Sequence, residues 1–257
     1  MKINLSHRSR NYEINLKAGI DLSLGIGTPG PRAWYVLNPV IEPVVMDNFV
    51  GSVTQGSSTN FYNISFNPHG HGTHTECLGH VTPEKQSLDD CLKEYFFMAT
   101  VISITPRTAT DADEEGTVPG DLVIDAELLE RACLGEVEDA LIIRTLPNAE
   151  EKKSMDYSNT NPPYLTLSAA HWLVENGVQH LLLDLPSVDR ENDEGKLSVH
   201  KIFWGLPEAA ISSKTITEMI FVPDGVKDGM YFLNLQVPSF RNDAAPSRPV
   251  LFEMNSL

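Results

Sequence analysis

Two short apolar segments with a helical segment between them constrain the fold of this chain most strongly. Residues 140–145 (ALIIRT) and 180–185 (HLLLDL) are short apolar runs of the kind found in strands that are buried on both faces of a sheet. Between them, residues 166–176 carry apolar side chains at helical spacing, and Gly177 is a natural stop for the helix. The sequence therefore predicts a strand–helix–strand unit.

Additional strands are predicted on both sides of this unit from runs of β-branched and aromatic residues. They are residues 59–66, 99–105 and 121–124 before it, and residues 215–222, 230–237 and 249–254 after it. A helix is predicted over 126–133, beginning at Asp125, and an early hairpin is predicted between 12–16 and 21–26 around the turn at Gly19. We therefore expect a single domain over residues 1–257, of the α/β class, with a mixed β-sheet and flanking helices.

Composition narrows the classes of function. The chain is 41% hydrophobic and 21% charged, as in soluble globular proteins, and its formal net charge is −16. Such an acidic surface repels nucleic acid and anionic lipid but not divalent cations. The first residues lack the apolar pattern of a signal peptide, and no apolar run is long enough for a membrane span. The three cysteines have neither metal-site nor redox-motif spacing, so we expect a cytoplasmic protein with reduced thiols.

The segment from His69 to His80, HGHGTHTECLGH, contains four of the eight histidines and a glutamate. Imidazole nitrogen suits metals such as zinc, and a carboxylate can complete or bridge such a site. His74 and Glu76 are two residues apart, so in an extended segment both side chains project to the same side. Thr73 can support the adjoining turn by local hydrogen bonding. For any one of these residues a surface loop is the alternative, but the clustering of ligand types favours a metal site.

Other polar residues acquire a functional interpretation only together with this segment. His200 lies in an apolar stretch, where a core histidine is the usual role, and Glu218 lies in a β-branched strand and needs a partner if its face is buried. Ser187 follows an apolar strand, where polar residues often enter a cleft, although turn capping is the commoner role. His180, at the start of a predicted strand, is interpreted as structural.

Taken together, these residues resemble the cyclase-like metal-dependent hydrolases, the family that includes bacterial kynurenine formamidase. The family signature is H-x-G-T-H-x-D-x-P-x-H, and Gly72-Thr73-His74 and His80 match it in register. The similarity extends in the same order over most of the chain, through Asp21-Leu22-Ser23, Arg144-Thr145, Asp184 with Ser187-Val188-Asp189, His200 and Glu218. The resemblance implies the swivelling β/β/α fold of that family.

The resemblance also implies roles for individual residues. The family's metal ligands correspond to His74, Glu76, His200 and Glu218, and its proposed proton-transfer group corresponds to His80. Thr73 and Ser187 would orient these groups by hydrogen bonding without contacting the metal.

The sequence departs from the signature at three positions. The first signature histidine corresponds to Gly70, which His69 and His71 flank, so either can supply that ligand; a one-residue shift favours His69. Glu76 replaces the family aspartate and is longer by one methylene, which should displace the metal or change how it is bridged. Leu78 replaces the proline, which loosens the segment before the last histidine.

The activity implied by the resemblance is hydrolysis of an amide or formamide, a carbon–nitrogen bond other than a peptide bond, as in an arylformamidase. It implies one or two divalent ions, zinc first and manganese as an alternative. Such an ion lowers the pKa of its bound water toward ~7. His80, with an ordinary pKa near ~6.5, can then act as the acid or base toward the leaving group.

Several alternatives remain open at this stage. The same site suits a lactone or ester hydrolase or a cyclising dehydratase, and a non-catalytic metal- or ligand-binding member of the family is a different class. Serine hydrolase chemistry is disfavoured because the chain has no G-x-S-x-G motif. The expected partners are a small-molecule substrate and, from the resemblance, further copies of the chain in a homo-oligomer, but neither nucleic acid nor a membrane.

Overall fold

The computed structural model describes residues 1–111, 113–207, 210 and 213–257. The strands are β1 Lys2–His7, β2 Arg10–Asn15, β3 Ile20–Asp21, β4 Val40–Pro43, β5 Val45–Met46, β6 Phe49–Val50, β7 Tyr62–Ser65, β8 His74–Glu76, β9 Phe96–Ile104, β10 Arg107–Thr108, β11 Leu122–Ile124, β12 Ala140–Thr145, β13 Tyr164–Leu165, β14 His180–Leu183, β15 Thr215–Glu218, β16 Gly229–Asn234, β17 Ala244–Pro246, β18 Val250–Phe252 and β19 Met254–Ser256. The α-helices are α1 Leu88–Cys91, α2 Ala126–Ala132, α3 Leu167–Glu175 and α4 Ser198–Phe203, and three short 3-10 turns cover Val53–Gln55, Leu78–His80 and Glu150–Lys153. Within the described ranges, no helix has the length and apolar character needed to cross a membrane.

A nine-stranded sheet forms the centre of the fold, in the order β17-β8-β15-β14-β12-β9-β16-β18-β3. Its four central strands, β15, β14, β12 and β9, are parallel, and the strands on either side of them are antiparallel. The chain passes from β12 through α3 to β14, and these two strands pair in parallel. The predicted strand–helix–strand unit and the mixed α/β class are thus confirmed.

The parallel strands are buried on both faces, which explains their continuous apolar sequences. Along β12, Leu141 and Ile143 belong to a core that also contains side chains of α2, α3 and α4. Ala140 and Ile142 belong to a second core, which includes Leu233 of β16. Because successive side chains of a strand point to opposite faces, a strand covered on both faces requires an apolar residue at nearly every position.

The N-terminal strands pair differently from the predicted hairpin. β2 pairs with β1 and β19, whereas β3 pairs with β18, so the predicted hairpin around Gly19 is wrong. The turn between β1 and β2 places Arg8 and Ser9 at positive φ, the conformation of a tight hairpin turn. Asn-Gly and Asp-Gly are the pairs that signal such a turn in a sequence, and Arg-Ser does not.

Residues 37–66, which we call the arm, contribute no strand to the nine-stranded sheet. The predicted strand 59–66 contains β7, but among the described residues β7 pairs only with β4, and β5 only with β6. All four residues of β7, and all of β4 except Pro43, are exposed. The arm is therefore a β-ribbon outside the two cores.

Burial of His180 leads to a prediction about pH and stability. Its ring lies against Phe97 and its Nδ1 is 2.9 Å from Thr215 Oγ1, and burial lowers the pKa of His180 to about 4. An unfolded histidine has a pKa of about 6.5, so below that pH the unfolded chain binds one proton more and the native state loses stability. Above pH ~6.5 this effect is absent.

Between pH 7 and pH 5, we expect the wild type to lose about 2 kcal/mol more free energy of unfolding than a His180→Asn variant. Urea denaturation of both proteins at the two pH values measures the difference. The asparagine amide keeps a donor toward Thr215 and removes the titrating ring. Equal losses in the two proteins would contradict the assignment of His180 as a buried neutral group.

Candidate metal centre

Strand β8 brings the central residues of the histidine segment into the sheet. It lies between β15 and β17, and His74 is directly opposite Glu218 in the pairing with β15. Glu76 is two residues beyond His74 and therefore projects from the same face. Thr75 lies between them, and its hydroxyl is 2.7 Å from that of Thr217, its partner on β15. One face of two paired strands thus presents two carboxylates and an imidazole.

His69 reaches the same place from the loop before β8. Its Nδ1 is 3.0 Å from Glu76 Oε2 and its Nε2 is 2.8 Å from Asp243 Oδ2. Its ring centroid is 4.3 Å from that of His80. The structure therefore brings His69 into one cluster with the residues of β8.

His71 lies outside this cluster, although the sequence left it as an alternative ligand. Its Nδ1 accepts a hydrogen bond from the Asn67 amide at 2.9 Å, and its Nε2 donates to the Leu37 carbonyl at 2.7 Å. Both ring nitrogens are thus occupied, and neither is available to a metal. Between the two histidines, a Cβ on Gly70 would be 2.8 Å from Val36 Cγ2, so a histidine at the register position of the signature would require Val36 to move.

His200 enters the cluster from α4, and Asp189 holds it there. The Asp189 carboxylate accepts hydrogen bonds from the backbone amides of Val199 and His200, at 2.8 and 3.1 Å, and lies 2.5 Å from His200 Nδ1. The opposite ring nitrogen, Nε2, is 2.9 Å from Glu76 Oε1. Ser187 acts one step further away, since its hydroxyl accepts a hydrogen bond from the Asp189 amide at 3.1 Å.

Thr73 supports the start of β8 through partners that are distant in sequence, instead of the local hydrogen bonds that the sequence suggested. Its hydroxyl donates to the Met219 carbonyl at 2.5 Å and accepts from the Leu24 amide at 2.7 Å. Met219 directly follows Glu218, so the Thr73 side chain links β8 to the end of β15. Gly72 precedes it with φ of +64°, a conformation that side-chain-bearing residues adopt at a cost.

The solvent side of the cluster is formed by His69, His80 and Asp243, whose side chains are 22–26% exposed. His80 follows β8 in a 3-10 turn, with Nδ1 3.5 Å from Asp243 Oδ2 and Nε2 3.9 Å from Glu76 Oε2. Asp243 was not predicted. It lies immediately before β17 in the unremarkable sequence RNDAAP, and its carbonyl accepts a hydrogen bond from the Cys77 amide at 3.0 Å, beside Glu76.

The buried charges shift one another's pKa values. Burial favours the neutral form of Glu76, but the charges of His80 and His200 outweigh it and hold the pKa of Glu76 well below its ordinary value. Burial, together with the charge of Glu76, raises the pKa of Glu218. Burial opposes protonation of His200 and His69 as well, yet the facing carboxylates raise the pKa of His200 well above its ordinary value and that of His69 to about 10.

A divalent cation fits this arrangement. His74 Nδ1 donates to the Gly72 carbonyl, so in the neutral ring Nε2 carries a lone pair. This buried atom makes no hydrogen bond to any residue that the structure describes, and it lies 3.3 Å from Glu218 Oε2. A buried polar atom left unsatisfied costs about 1–3 kcal/mol, which coordination would recover. Three overlapping sets of ligand atoms, each within 4.8 Å of one another, are His69, His74 and Glu76; Glu76, His80 and His200; and His69, His80 and Asp243.

Comparison with known proteins gives a family and a fold. The family model described as "Putative cyclase" matches residues 7–190. A potential metal-dependent hydrolase with cyclase activity has a TM-score of 0.60 at 16% identity, over 91% of this chain and 98% of that chain. Isatin hydrolase A from Labrenzia aggregata, bound to benzyl benzoate, has a TM-score of 0.63 at 15% identity, over 91% of this chain and 93% of that chain. Another isatin hydrolase, bound to the product analogue thioisatinate, has a TM-score of 0.63 at 13% identity, over 92% of each chain. No curated protein matches the chain in sequence. The shared fold confirms the predicted fold class.

The different environments of His69 and His71 lead to a paired prediction. His69→Ala should lower metal content, because the imidazole faces the other ligand atoms. His71→Ala should keep the metal but lower the free energy of unfolding of the metal-free protein by about 2–4 kcal/mol, since it leaves the Asn67 amide and Leu37 carbonyl unpaired. Elemental analysis and urea denaturation of both variants test this. The reverse pattern, with metal lost only in His71→Ala, would show that the histidines have exchanged roles.

Proposed function

Because the chain belongs to the cyclase family, we propose that it is a metal-dependent hydrolase that cleaves an amide or formamide bond of a small molecule, in the manner of an arylformamidase. The observation that carries the proposal is the buried Nε2 of His74, which makes no hydrogen bond within the described residues and lies among histidines and carboxylates from six separate parts of the chain. Hydrolysis is supported by the fold shared with a potential metal-dependent hydrolase and with isatin hydrolases.

The residues that would hold the metal are His69, His74, Glu76, His200 and Glu218. Glu76 belongs to two of the ligand sets, and its two oxygens face different histidines, which suits either one ion or a bridged pair. A bound divalent ion such as zinc, or manganese, supplies a water of lowered pKa and polarises a carbonyl oxygen.

His80 is the proton-transfer group in this proposal. It lies on the solvent side of the cluster, where a substrate arrives, while most of the other histidine and carboxylate groups are buried. Asp243 faces Nδ1 of His80, which orients the ring and leaves Nε2 toward the cluster. Nε2 can therefore give a proton to the departing nitrogen, and Asp189 keeps the neighbouring His200 in a fixed orientation.

Catalysis is favoured over metal storage by the placement of His80. A structural site is closed by its ligands, whereas a catalytic site keeps an open position beside a group that can transfer a proton. His80 and Asp243 lie at such an open side, and neither is needed to complete the buried set of His74, Glu76, His200 and Glu218.

The metal content of the purified protein tests whether these residues form a metal site. We expect the purified protein to contain near-stoichiometric metal, and His74→Ala/Glu218→Ala to lose it. Added zinc or manganese should stabilise the stripped wild type by about 2.7 kcal/mol when its concentration is 100 times Kd. The matched control is Thr75→Val/Thr217→Val, which changes the opposite face of the same two strands and should keep the metal. A wild type that neither contains metal nor gains stability from it would refute the proposal.

Turnover by His80→Ala tests the proton-transfer role. On a panel of formamides, amides and lactones, we expect kcat of the variant to fall by about 100-fold or more for whichever compound the wild type hydrolyses. Its metal content should be unchanged. His171→Ala, an exposed histidine on α3, is the control and should turn over normally. Wild-type kcat in metal-loaded His80→Ala would contradict the role, and loss of activity in Ser187→Ala with metal retained would point to serine chemistry instead.

A further inference from the structure

Two of the three cysteines of the chain pack against each other beside the metal centre. Cys77 and Cys91 belong to one small buried cluster with Leu88 and Ala245, and a hydrogen bond joins their thiols. The proposed reaction uses neither of them. Cys133, the third cysteine, lies against the other core, beside the helices. Two thiols in contact are the arrangement from which a disulfide can form, because its two sulfur atoms must first be neighbours.

The pair lies directly behind a metal ligand. Cys77 follows Glu76 and continues the extended conformation of β8, with φ of −131° and ψ of 178°. Successive side chains of an extended segment project to opposite faces, so the Cys77 thiol points away from the ligand cluster. Cys91 is the last residue of α1 and meets it there.

The segment that leads into α1 packs on the turn that carries His80. The backbone of Gly79, in the middle of the turn Leu78–His80, lies so close to the Gln86 carbonyl that a Cβ would not fit between them. Cys77 Sγ is 3.8 Å from the same carbonyl oxygen. Because a close-packed interior transmits a displacement to its neighbours, a movement of one segment shifts the other.

The backbones of both segments are also tied to Asp243. The Leu88 amide donates a hydrogen bond to the Asn242 carbonyl, and the Cys77 amide donates one to the Asp243 carbonyl, both at 3.0 Å. The Asp243 carboxylate is the group that faces Nδ1 of His80. A change in the distance between the two thiol-bearing segments therefore acts on both members of this pair.

Cys91 is the thiol that an oxidant can reach. With Phe97 and Gln179 it lines a cavity of about 240 Å³ on the surface, whereas Cys77 is fully buried. Hydrogen peroxide, hardly larger than two waters of about 30 Å³ each, fits such a cavity. The hydrogen bond from Cys77 lowers the pKa of Cys91 against the effect of burial, while burial raises the pKa of Cys133 to about 11. Redox-sensitive cysteines combine such access with a neighbouring second thiol.

We propose that Cys77 and Cys91 form a reversible disulfide when the protein meets a hydroperoxide, and that this disulfide slows turnover by displacing His80 and Asp243. The second half of the proposal rests on the proposed function. The Cys91 thiolate attacks the O–O bond, which gives a sulfenic acid and a hydroxide that takes up the proton lost by Cys91. The Cys77 thiol then attacks the sulfenic sulfur and expels water. Two thiols are oxidised, and one hydrogen peroxide is reduced to two waters.

The new bond must move the backbone. Van der Waals contact holds two free thiol sulfurs apart, whereas the sulfurs of a disulfide are about 2 Å from each other. Drawing Cys77 toward Cys91 shifts the turn that follows Cys77. A misplacement of about 1 Å in a catalytic group can cost about 100-fold in rate, so we expect kcat of the oxidised protein to fall by about tenfold or more.

A count of free thiols tests the disulfide without any substrate. After treatment of the metal-loaded protein with a small excess of hydrogen peroxide, thiol titration in denaturant should fall from three to one, and peptide mapping should join Cys77 to Cys91. Cys133→Ser is the matched control and should fall from two thiols to none. Cys91→Ser should keep both of its thiols. Three surviving thiols in the wild type, or a cross-link to Cys133, overturns the proposal.

Turnover and hydrogen exchange test the consequence. On a compound that the wild type hydrolyses, kcat should fall on oxidation and return when a phosphine reductant opens the disulfide, with metal content unchanged. Cys91→Ser, treated in the same way, should keep its kcat. The amides of Leu78–His80 should change their exchange rates on oxidation. Unchanged kcat or unchanged exchange in cross-linked protein overturns the displacement. A protein that cross-links and changes its exchange but hydrolyses nothing refutes the proposed function and supports the disulfide.

Discussion

The antiparallel pairing of β8 between β15 and β17 is the interaction on which the rest of the site depends. It places His74 opposite Glu218 and brings Asp243, at the start of β17, beside Glu76. A shift of one residue in this register would turn His74 and Glu76 to the opposite face of the sheet. The two hydrogen bonds of Thr73, to the Met219 carbonyl and from the Leu24 amide, stabilise the observed register.

Local sequence patterns predicted the centre of the fold well because each pattern had one physical cause. The apolar runs at 140–145 and 180–185 become β12 and β14 since both faces of those strands are covered. Patterns failed where pairing depends on distant segments. The second partner of β2 is β19, near the C-terminus. The sequence of β7 shows no alternation of apolar and polar residues, and all four of its residues are exposed, so its position outside the main sheet could not be predicted.

The candidate site divides in the same way. Residues within one segment, His74 and Glu76, could be assigned from alternation along a strand, and the resemblance to the cyclase family carried His200 and Glu218. Asp243 could not be found, because no motif surrounds it and only the pairing of β8 with β17 brings it to the cluster. The choice between His69 and its neighbour two residues on also required the structure, since both lie in the same glycine-rich loop.

The glycine-rich loop also contacts the arm, and this contact accounts for His71, the histidine of the loop that is not in the ligand set. His71 links Leu37, the first residue of the arm, to Asn67, the residue that follows it, through the Leu37 carbonyl and the Asn67 amide. The Asn67 side chain in turn accepts hydrogen bonds from the backbone amides of His69 and Gly70, both at 2.9 Å. The backbone that positions His69 among the ligands is therefore the same backbone that anchors the arm. These hydrogen bonds join the base of the arm to the loop that carries His69.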